Sequence, residues 1–383
     1  MTENFIELRG LTKTFPGHRD PVVDNLDLAV RRGKIVVLIG PSGCGKTTTM
    51  KMINRLVEPT SGSIMIDGQD VTGANPNELR RHIGYVIQEA GLFPHMRVAD
   101  NVAAVLKLLK WPKNKIGPRV DEMLDLVGLD PSIYRDRYPK ALSGGQMQRV
   151  GVARALAADP PIMLMDEPFG AVDPIVRERL QNEFLRLQQD IGKTIVFVTH
   201  DITEAVKMGD RIVILRDRSA VAQYDVPARI LASPADDFVR NFLGDNAELR
   251  ALSLLHVAPH MLSTLPVLPI EPGTASYPSS PHPATVLIEA GRPVGWLIAD
   301  GADQRFLPVR PLVMGTKTSL SDALNQMVRV GAPAALMVDD HGRLAGCLEF
   351  AAIQSAVACA AAEDRAALAA LDVREVAGVK RPS

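Results

Sequence analysis

The length and composition of the chain limit what it can be before any motif is considered. Its 383 residues exceed one average domain and suit two or three, and its hydrophobic fraction of 46% is enough for sizeable cores. The formal net charge of −1 gives no overall attraction to nucleic acid or anionic lipid, so nucleic acid is not an expected partner. Three cysteines, Cys44, Cys347 and Cys359, lack the spacing of a disulfide framework or a metal site, which is typical of a reducing compartment.

No membrane-crossing segment is predicted. The first ten residues, MTENFIELRG, lack the basic start and apolar stretch of a signal peptide. The longest apolar runs, at 35–39 and 356–362, are far too short to span a bilayer. Any role at a membrane is therefore expected to come through a partner.

From Phe5 to about Gly244, short apolar runs alternate with helical patterns, which predicts an α/β fold. Each run is of the kind that a parallel sheet buries on both faces. Residues from about 89 to 160 contain no comparable run, so we predict a helical insert there, with helices at 98–110 and 120–127. The predicted buried strands are Lys34–Ile39, Pro161–Met165, Thr194–Val198 and Arg211–Leu215.

A candidate phosphate-binding loop follows the first of these strands. Residues 40–47, GPSGCGKT, match the pattern G-x-x-x-x-G-K-[ST], and a helix is predicted over 48–56. The glycines let the backbone curl so that N–H groups point at phosphate oxygens, and the helix N-terminus adds partial positive charge. A chance glycine-rich turn is the alternative, which the flanking strand and helix disfavour. The candidate nucleotide-binding residues are Gly40, Pro41, Ser42, Gly43, Cys44, Gly45, Lys46, Thr47 and Thr48, with Lys46 as a charge for the β- and γ-phosphates and Thr47 as a Mg²⁺ ligand.

Polar side chains end two of the other predicted strands. The strand IMLMDEP, at 162–168, ends in two carboxylates. Placing charge at the end of a buried strand costs free energy, which indicates that these carboxylates have a function. Asp166 is predicted to organise Mg²⁺, and Glu167 to activate water as a general base. The alternative is a strand that simply ends in solvated acids. His200 ends the strand TIVFVTH at the sheet edge where ligands bind in such folds. It is predicted to contact the γ-phosphate and to orient Glu167, although a lone histidine at a strand end is more often structural.

The segment LSGGQ, at 142–146, identifies the class. Ser143 and Gln146 have the spacing of a capping box, which predicts a helix running to about Ala158 with an anion site at its start. Together with the phosphate loop and the 162–168 strand, these residues resemble the ATP-binding cassette (ABC) ATPases over roughly residues 5–243. The resemblance assigns Ser143, Gly144, Gly145 and Gln146 to ATP binding.

The same resemblance implies roles for further positions. Phe15 matches the aromatic residue that stacks on adenine, although a core aromatic is the alternative. Gln88, in YVIQEAGLFPH, matches the glutamine that reaches Mg²⁺ and the attacking water. Asp173, in GAVDP, matches the acidic residue of the loop between subunits, with Val where the family usually has Leu. His200 matches the switch histidine, which completes a catalytic set of Lys46, Gln88, Glu167 and His200.

In this family two subunits sit head to tail, with the phosphate loop of one facing the LSGGQ helix of the other. One cassette per chain therefore implies a homodimer that binds ATP and Mg²⁺. The phrases GYVIQEAGLFPHM, GDRIVIL and SPADDFVRNFLG resemble subunits of glycine betaine, carnitine, choline and proline importers. That implies permease partners, an extracytoplasmic solute-binding protein, and a peripheral location at the cytoplasmic face of the inner membrane. An importer of an amino acid or another betaine is the alternative; a DNA-repair or translation ATPase is disfavoured by the lack of a coiled coil or second cassette.

After residue 243 the composition and the pattern of the sequence change. Residues 244–283, which are rich in proline from 259 on, are predicted to be a linker with a degenerate first repeat, and the tail is 372–383. Between them, over 284–371, Ala284–Leu297 aligns with Ala335–Leu348, each as strand, Gly-Arg turn and strand. An amphipathic helix is predicted at 319–328, and a helix at Ala351–Leu371.

This C-terminal module resembles a tandem pair of cystathionine-β-synthase (CBS) repeats. In relatives such modules sense nucleotides or ionic strength. The Ser/Thr-Asp pair usual in nucleotide-binding repeats is absent after Gly295 and after Gly346. A structural or dimerising role therefore stands beside a sensory one.

Overall fold

The computed structural model describes residues 4–88, 91–244, 247–271, 280–300, 303–314 and 318–356. The chain divides into two compact units. The first unit comprises 1–230 and 235–242, and the second comprises 231–234 and the residues from 243 on. Within the described ranges, no helix is long and apolar enough to cross a membrane.

The first unit contains two sheets and a helical region. Its strands are β1 (Asn4–Lys13), β2 (Val23–Arg31), β3 (Ile35–Ile39), β4 (Ser61–Ile66), β5 (Gln69–Asp70), β6 (Ile83–Val86), β7 (Ile162–Asp166), β8 (Thr194–Val198), β9 (Arg211–Leu215) and β10 (Val221–Asp225). Its helices are α1 (Lys46–Ile53), α2 (Pro76–Arg81), α3 (Val98–Leu108), α4 (Lys113–Leu126), α5 (Pro131–Tyr134), α6 (Gly144–Ala157), α7 (Pro174–Ile191), α8 (Ile202–Met208), α9 (Pro227–Ala232) and α10 (Asp237–Leu243).

A mostly parallel sheet forms the centre of the first unit. Its order is β10-β9-β3-β8-β7-β6, and only β10 runs antiparallel to its neighbour. All five residues of β3, of β7 and of β8 are buried, because the sheet is covered on both faces. The carboxyl ends of these three strands therefore meet at one edge, where the phosphate loop, Asp166 and Thr199 follow.

The predicted α/β fold is confirmed, including its four buried strands. Strand β6 was not predicted, and it completes the parallel sheet beside β7. The antiparallel sheet β2-β1-β4-β5 was not predicted either. Described residues 91–160 contain helices and no strand, as expected for the helical insert. Helix α3 matches its prediction within two residues, whereas α4 begins at Lys113, seven residues before the predicted start.

The second unit contains α11 (Ala247–Ala251), two sheets and a helix between the hairpins. One sheet has β11 (Val267–Ile270), β12 (Ala284–Glu289), β13 (Arg292–Asp300) and β14 (Asp303–Pro308). The other has β15 (Leu312–Val313), β16 (Ala334–Val338) and β17 (Leu344–Glu349), with α12 (Leu320–Val330) before β16. A further helix, α13, begins at Phe350.

The two sheets of the second unit repeat one arrangement. In each, a leading strand pairs in parallel with the first strand of an antiparallel hairpin. Gly291 and Gly342, in the two hairpin turns, both have φ near +79°, a conformation in which glycine avoids the cost of a Cβ. Both hairpins contribute to one core that contains Trp296 and Leu336. This order is consistent with the predicted tandem CBS-like fold.

Residues 247–271, within the stretch predicted to be a linker, pack into the second unit. Leu252 and Val257 are buried in a cluster with Leu320. Ser263 and Cys347 exchange two backbone hydrogen bonds of 2.9 Å. The domain boundaries stay predictions; residues 272–279, the predicted helix beyond 356, Cys359 and the 372–383 tail lie outside the described residues.

Candidate nucleotide-binding site

The candidate phosphate loop joins β3 to α1. Its Gly43 and Gly45 have φ of +82° and +106°, which L side chains rarely adopt. Lys46 begins α1, two residues earlier than predicted, and its Nζ donates to the carbonyl oxygens of Gly40 (2.7 Å) and Pro41 (2.9 Å). The ammonium group therefore lies across the loop, where Lys46 can meet phosphate oxygens. Thr47 and Thr48 follow in the first turn of the helix.

Close backbone packing explains two of the glycines. A Cβ at Gly40 would lie 2.4 Å from the carbonyl oxygen of Leu215. A Cβ at Gly45 would lie 2.8 Å from that of Val22. Both distances are well inside van der Waals contact, so the curl of the loop requires glycine here independently of any ligand.

Asp166 lies at the end of β7, opposite the start of α1. Its side chain is buried, and Thr47 Oγ1 donates to its Oδ1 at 3.1 Å. Burial raises the pKa of the Asp166 carboxyl, and the Thr47 hydrogen bond offsets part of that rise. A threonine hydroxyl, a carboxylate and the nearby amide of Gln88 are the hard oxygen donors that Mg²⁺ prefers, so these residues fit that ion.

Glu167 is the residue at which the candidate catalytic side chains meet. Gln88 Nε2 donates to its Oε2 at 3.3 Å, and His200 Nδ1 lies 3.0 Å from its Oε1. Its backbone N–H donates to Val198 at 3.0 Å, and its φ is +46°. Left-handed backbone in a residue with a Cβ costs about 1–2 kcal/mol, and such strain is concentrated at functional sites. The structure thus brings together three residues that are distant in the sequence.

The LSGGQ segment opens α6 with the predicted capping box. Ser143 Oγ accepts from the Gln146 N–H at 3.2 Å, and the Ser143 N–H donates to Gln146 Oε1 at 2.9 Å. Ser143 and Gly144 are exposed, and an ideal Cβ at Gly144 would meet no atom within 4 Å. The start of α6 therefore presents an open, anion-favouring surface.

Asp173 and Phe15 have further structural contacts. Asp173 Oδ1 accepts from the Val176 N–H at 3.0 Å and so caps α7. Phe15 is half-buried, and Lys13 Nζ lies 5.1 Å from its ring centroid. Because Phe15 is only half-buried, a ligand can reach it. Its role with adenine and the role of Asp173 between subunits stay predictions.

A buried polar cluster behind His200 was missed from the sequence. Glu204, on α8, is 8% exposed, and Gln181 Nε2 donates to its Oε1 at 3.0 Å. Burial raises the pKa of Glu204, while hydrogen bonds from Thr199 and Gln181 lower it in part. Thr199 immediately precedes His200, so this cluster fixes the strand end that carries the histidine. A glutamate on a short helix after such a strand is the only sequence signal for it.

This fold and site define a P-loop nucleotide-binding domain in which Gln88 and His200 contact Glu167 and the start of α6 is a second anion-favouring surface. The family model for the ABC transporter matches residues 23–170. The chain is 52% identical over 262 residues to the glycine betaine/carnitine/choline transport ATP-binding protein OpuCA of Bacillus subtilis (strain 168), covering 68% of each chain. It is 44% identical over 318 residues to the carnitine transport ATP-binding protein OpuCA of Listeria monocytogenes serotype 1/2a (strain 10403S), covering 82% of this chain and 78% of that one.

Among solved structures, the chain is similar to a dimeric ATP-binding cassette in a post-hydrolysis state bound to ADP and Pi. The two are 34% identical with a TM-score of 0.54, over 58% of this chain and 98% of the other. The protein belongs to the ATP-binding proteins of ABC transporters.

Proposed function

We propose that this chain is the ATP-hydrolysing motor subunit of an importer for a small osmoprotectant such as glycine betaine, carnitine, choline or proline. The observation that carries the substrate class is the length of the match to the carnitine transport protein. At 318 residues, that alignment is longer than the first unit, which ends at Phe242, so it includes part of the second unit. The shared feature is thus the cassette together with its C-terminal extension, which supports the osmoprotectant branch over ABC transport in general.

The proposed chemistry follows from the contacts around Glu167. Lys46 and the N–H groups of the loop neutralise the triphosphate, while Thr47, Asp166 and Gln88 would hold Mg²⁺, which supplies charge neutralisation when bound. Glu167 accepts the proton of the attacking water. The contacts from Gln88 and His200 fix both carboxylate oxygens of Glu167, so its orientation is set before the water arrives. Positioning and charge stabilisation then account for most of the rate.

A homodimer would complete this site. The phosphate loop and the open start of α6 are both anion-favouring surfaces, and each is one side of a phosphate site. Two chains arranged head to tail would place Ser143 of one against the loop of the other. The dimeric state of the similar solved cassette supports a dimer here. Closure on ATP and opening after hydrolysis would provide the mechanical step.

A groove on the helical region fits a permease partner. It has a volume of about 850 Å³ and lies between the loop after Gln88 and α3. Phe93 and Leu108 line it and are 43% and 60% exposed. Asn101 holds the loop in place, since its side chain bonds the backbone of Phe93 and Met96. A short amphipathic helix of the permease would cover these apolar side chains, which would place the chain peripherally at the cytoplasmic face of the membrane.

The alternative is an importer of another small solute, such as an amino acid or a different betaine. The candidate nucleotide-binding and catalytic side chains are arranged around a triphosphate, so they carry no information about the solute. The solute would be selected by the permease and by an extracytoplasmic solute-binding protein.

Transport in proteoliposomes tests the proposal. The chain would be reconstituted with the permease and the solute-binding protein encoded by neighbouring genes. Uptake of labelled glycine betaine, carnitine, choline and proline would be compared with that of other amino acids. We expect ATP-dependent uptake of at least one osmoprotectant, and none with the Glu167→Gln chain. Uptake confined to amino acids other than proline would overturn the substrate class, and ATP-independent uptake would overturn the motor role.

A further inference from the structure

A short segment after β9 lies directly beneath the phosphate loop. Ser219, in this segment, is completely buried. Its backbone N–H donates to the carbonyl oxygen of Cys44 at 2.8 Å, and its Oγ donates to the same oxygen at 2.9 Å. Ser219 Oγ also lies 3.5 Å from Thr49 Oγ1 in α1. One side chain thus contacts both the loop and the helix that follows it.

The double hydrogen bond fixes the orientation of one peptide plane. In a trans peptide the C=O and the next N–H point in opposite directions. Holding the Cys44 carbonyl toward Ser219 therefore turns the Gly45 N–H away from it, to the opposite side of the loop. An ideal Cβ at Gly45 would lie 2.3 Å from Ser219 Oγ, so the two residues are in close contact.

The backbone of this segment is unusual for its composition. Arg218 and Ser219 have consecutive left-handed conformations, with φ of +60° and +59°. Residues other than glycine avoid this region, and such conformations persist where the surroundings over-determine them. The contacts of Ser219 with Cys44 and an ion pair of 3.0 Å between Arg218 and Asp20 are such surroundings.

We propose that Ser219 is a positioning residue that aims the Gly45 N–H at the bound phosphates and thereby sets the affinity of the loop for ATP. The inference rests on the proposed binding of ATP at this loop and adds a residue outside the motifs. It predicts that the Ser219 hydroxyl affects nucleotides through their β- and γ-phosphates and leaves adenosine recognition unchanged.

Equilibrium binding of ATP and AMP to Ser219→Ala tests this role. Because a buried hydrogen bond is removed, we expect ATP to bind about five- to tenfold more weakly. AMP lacks the β- and γ-phosphates, and we expect its affinity to stay within about twofold. In steady-state turnover, KM for ATP should rise more than kcat falls.

Two further variants distinguish the effect of losing the Ser219 hydroxyl from an effect on the backbone conformation or the stability. Ser219→Gly also lacks the hydroxyl but tolerates the left-handed backbone, so it should lose ATP affinity to the same extent without a lower Tm. Arg218→Lys, at the exposed neighbour with the same φ, keeps a cation beside Asp20 and should bind ATP as the wild type does. The proposal fails if both Ser219 variants bind ATP normally, or if ATP and AMP weaken by equal factors. A wild-type chain that does not bind ATP would overturn the proposed function as well, which distinguishes the two failures.

Discussion

The two units differ most in what they bury. Among the described residues, the buried charged side chains are all in the first unit: Lys46, Asp166, Lys193 and Glu204. In the described part of the second unit, the buried polar residues are two threonines, Thr285 and Thr318. Because a buried charge is costly unless it is paired or used, chemistry is expected where charges are buried.

The second unit is specified by close packing instead. A Cβ at Gly295 would lie 2.3 Å from the carbonyl oxygen of Leu307, and one at Gly346 would lie 2.8 Å from Leu262 Cβ. These glycines occupy matching positions in the two hairpins, and each admits a neighbouring segment. This contrast favours a structural or assembly role for the second unit. It can be tested by substitutions in either unit.

The largest effect is expected at Glu167. Glu167→Gln removes the proposed base but keeps its size, so ATP turnover should fall by about 10²–10⁴-fold while ATP binding persists. Turnover and equilibrium binding measured on the same preparation would show the split. Glu178→Gln, at an exposed acid on α7 of the same unit, is the matched control and should retain full turnover. Normal turnover in Glu167→Gln would remove the residue from the mechanism.

Mixing two inactive chains tests whether the site is shared between copies. Lys46→Ala should disable the phosphate loop, and Ser143→Glu should set a negative charge against the phosphates at the start of α6. In a head-to-tail pair, a mixed dimer keeps one intact site of two, so an equal mixture should recover about a quarter of wild-type turnover. Each variant alone serves as the control. No recovery from dimers shown to exchange subunits would contradict the shared site.

A packing change should affect the second unit alone. Gly295→Ala places a methyl group against Leu307 and should destabilise that unit by about 1–3 kcal/mol, as overpacking does. Gly291→Ala is the control for strain without collision, since no atom lies within 4 Å of an ideal Cβ there. Calorimetry would report the stability, and ATP turnover should stay unchanged in both variants. A fall in ATP turnover that accompanies the fall in stability would show that the units are not independent.

Glu204 gives the first unit a predicted pH dependence. Since its pKa is raised in the fold, its stabilising contribution is present at low pH and is lost as pH rises through the raised value. Glu204→Gln is neutral throughout, so the Tm of the variant relative to wild type should increase from pH 5 to pH 8, by a few degrees. Glu178→Gln, at the exposed acid on α7, controls for the loss of one carboxylate from this unit. A difference in Tm that stays constant with pH would contradict the assignment.

The smallest effect is expected from removing the second unit. A chain that ends at Gly244 keeps every candidate catalytic and nucleotide-binding residue, so its ATP turnover should stay within about twofold of the full chain. The same truncation carrying Glu167→Gln gives the background rate. Lost nucleotide binding in the truncated chain would refute the division of labour between the units.

The predictability of each element follows from how local its signal is. Strand β3 was predicted because all its residues are apolar and buried, whereas β6 was missed because Gly84 and Tyr85 break its short apolar run. The phosphate loop and the capping box at Ser143 are encoded within a few consecutive residues. The place of Gln88 in the site followed from family resemblance, because its spacing from Glu167 does not determine it. His200 was expected near Glu167 because both residues end strands at the same edge of the parallel sheet. Ser219 had no local signal, since its contacts depend on β9 lying beside β3.

The start of α6 packs against the loop that carries Asp173 at a single small residue, Gly145. An ideal Cβ at Gly145 would lie 3.0 Å from the carbonyl oxygen of Ala171 and 3.4 Å from Val172 Cα. Because the two segments are closely packed, a shift of one requires a shift of the other. In a head-to-tail dimer, a displacement of the start of α6 would therefore also displace the loop that carries Asp173. The contacts of both segments with the second copy would then form and break together.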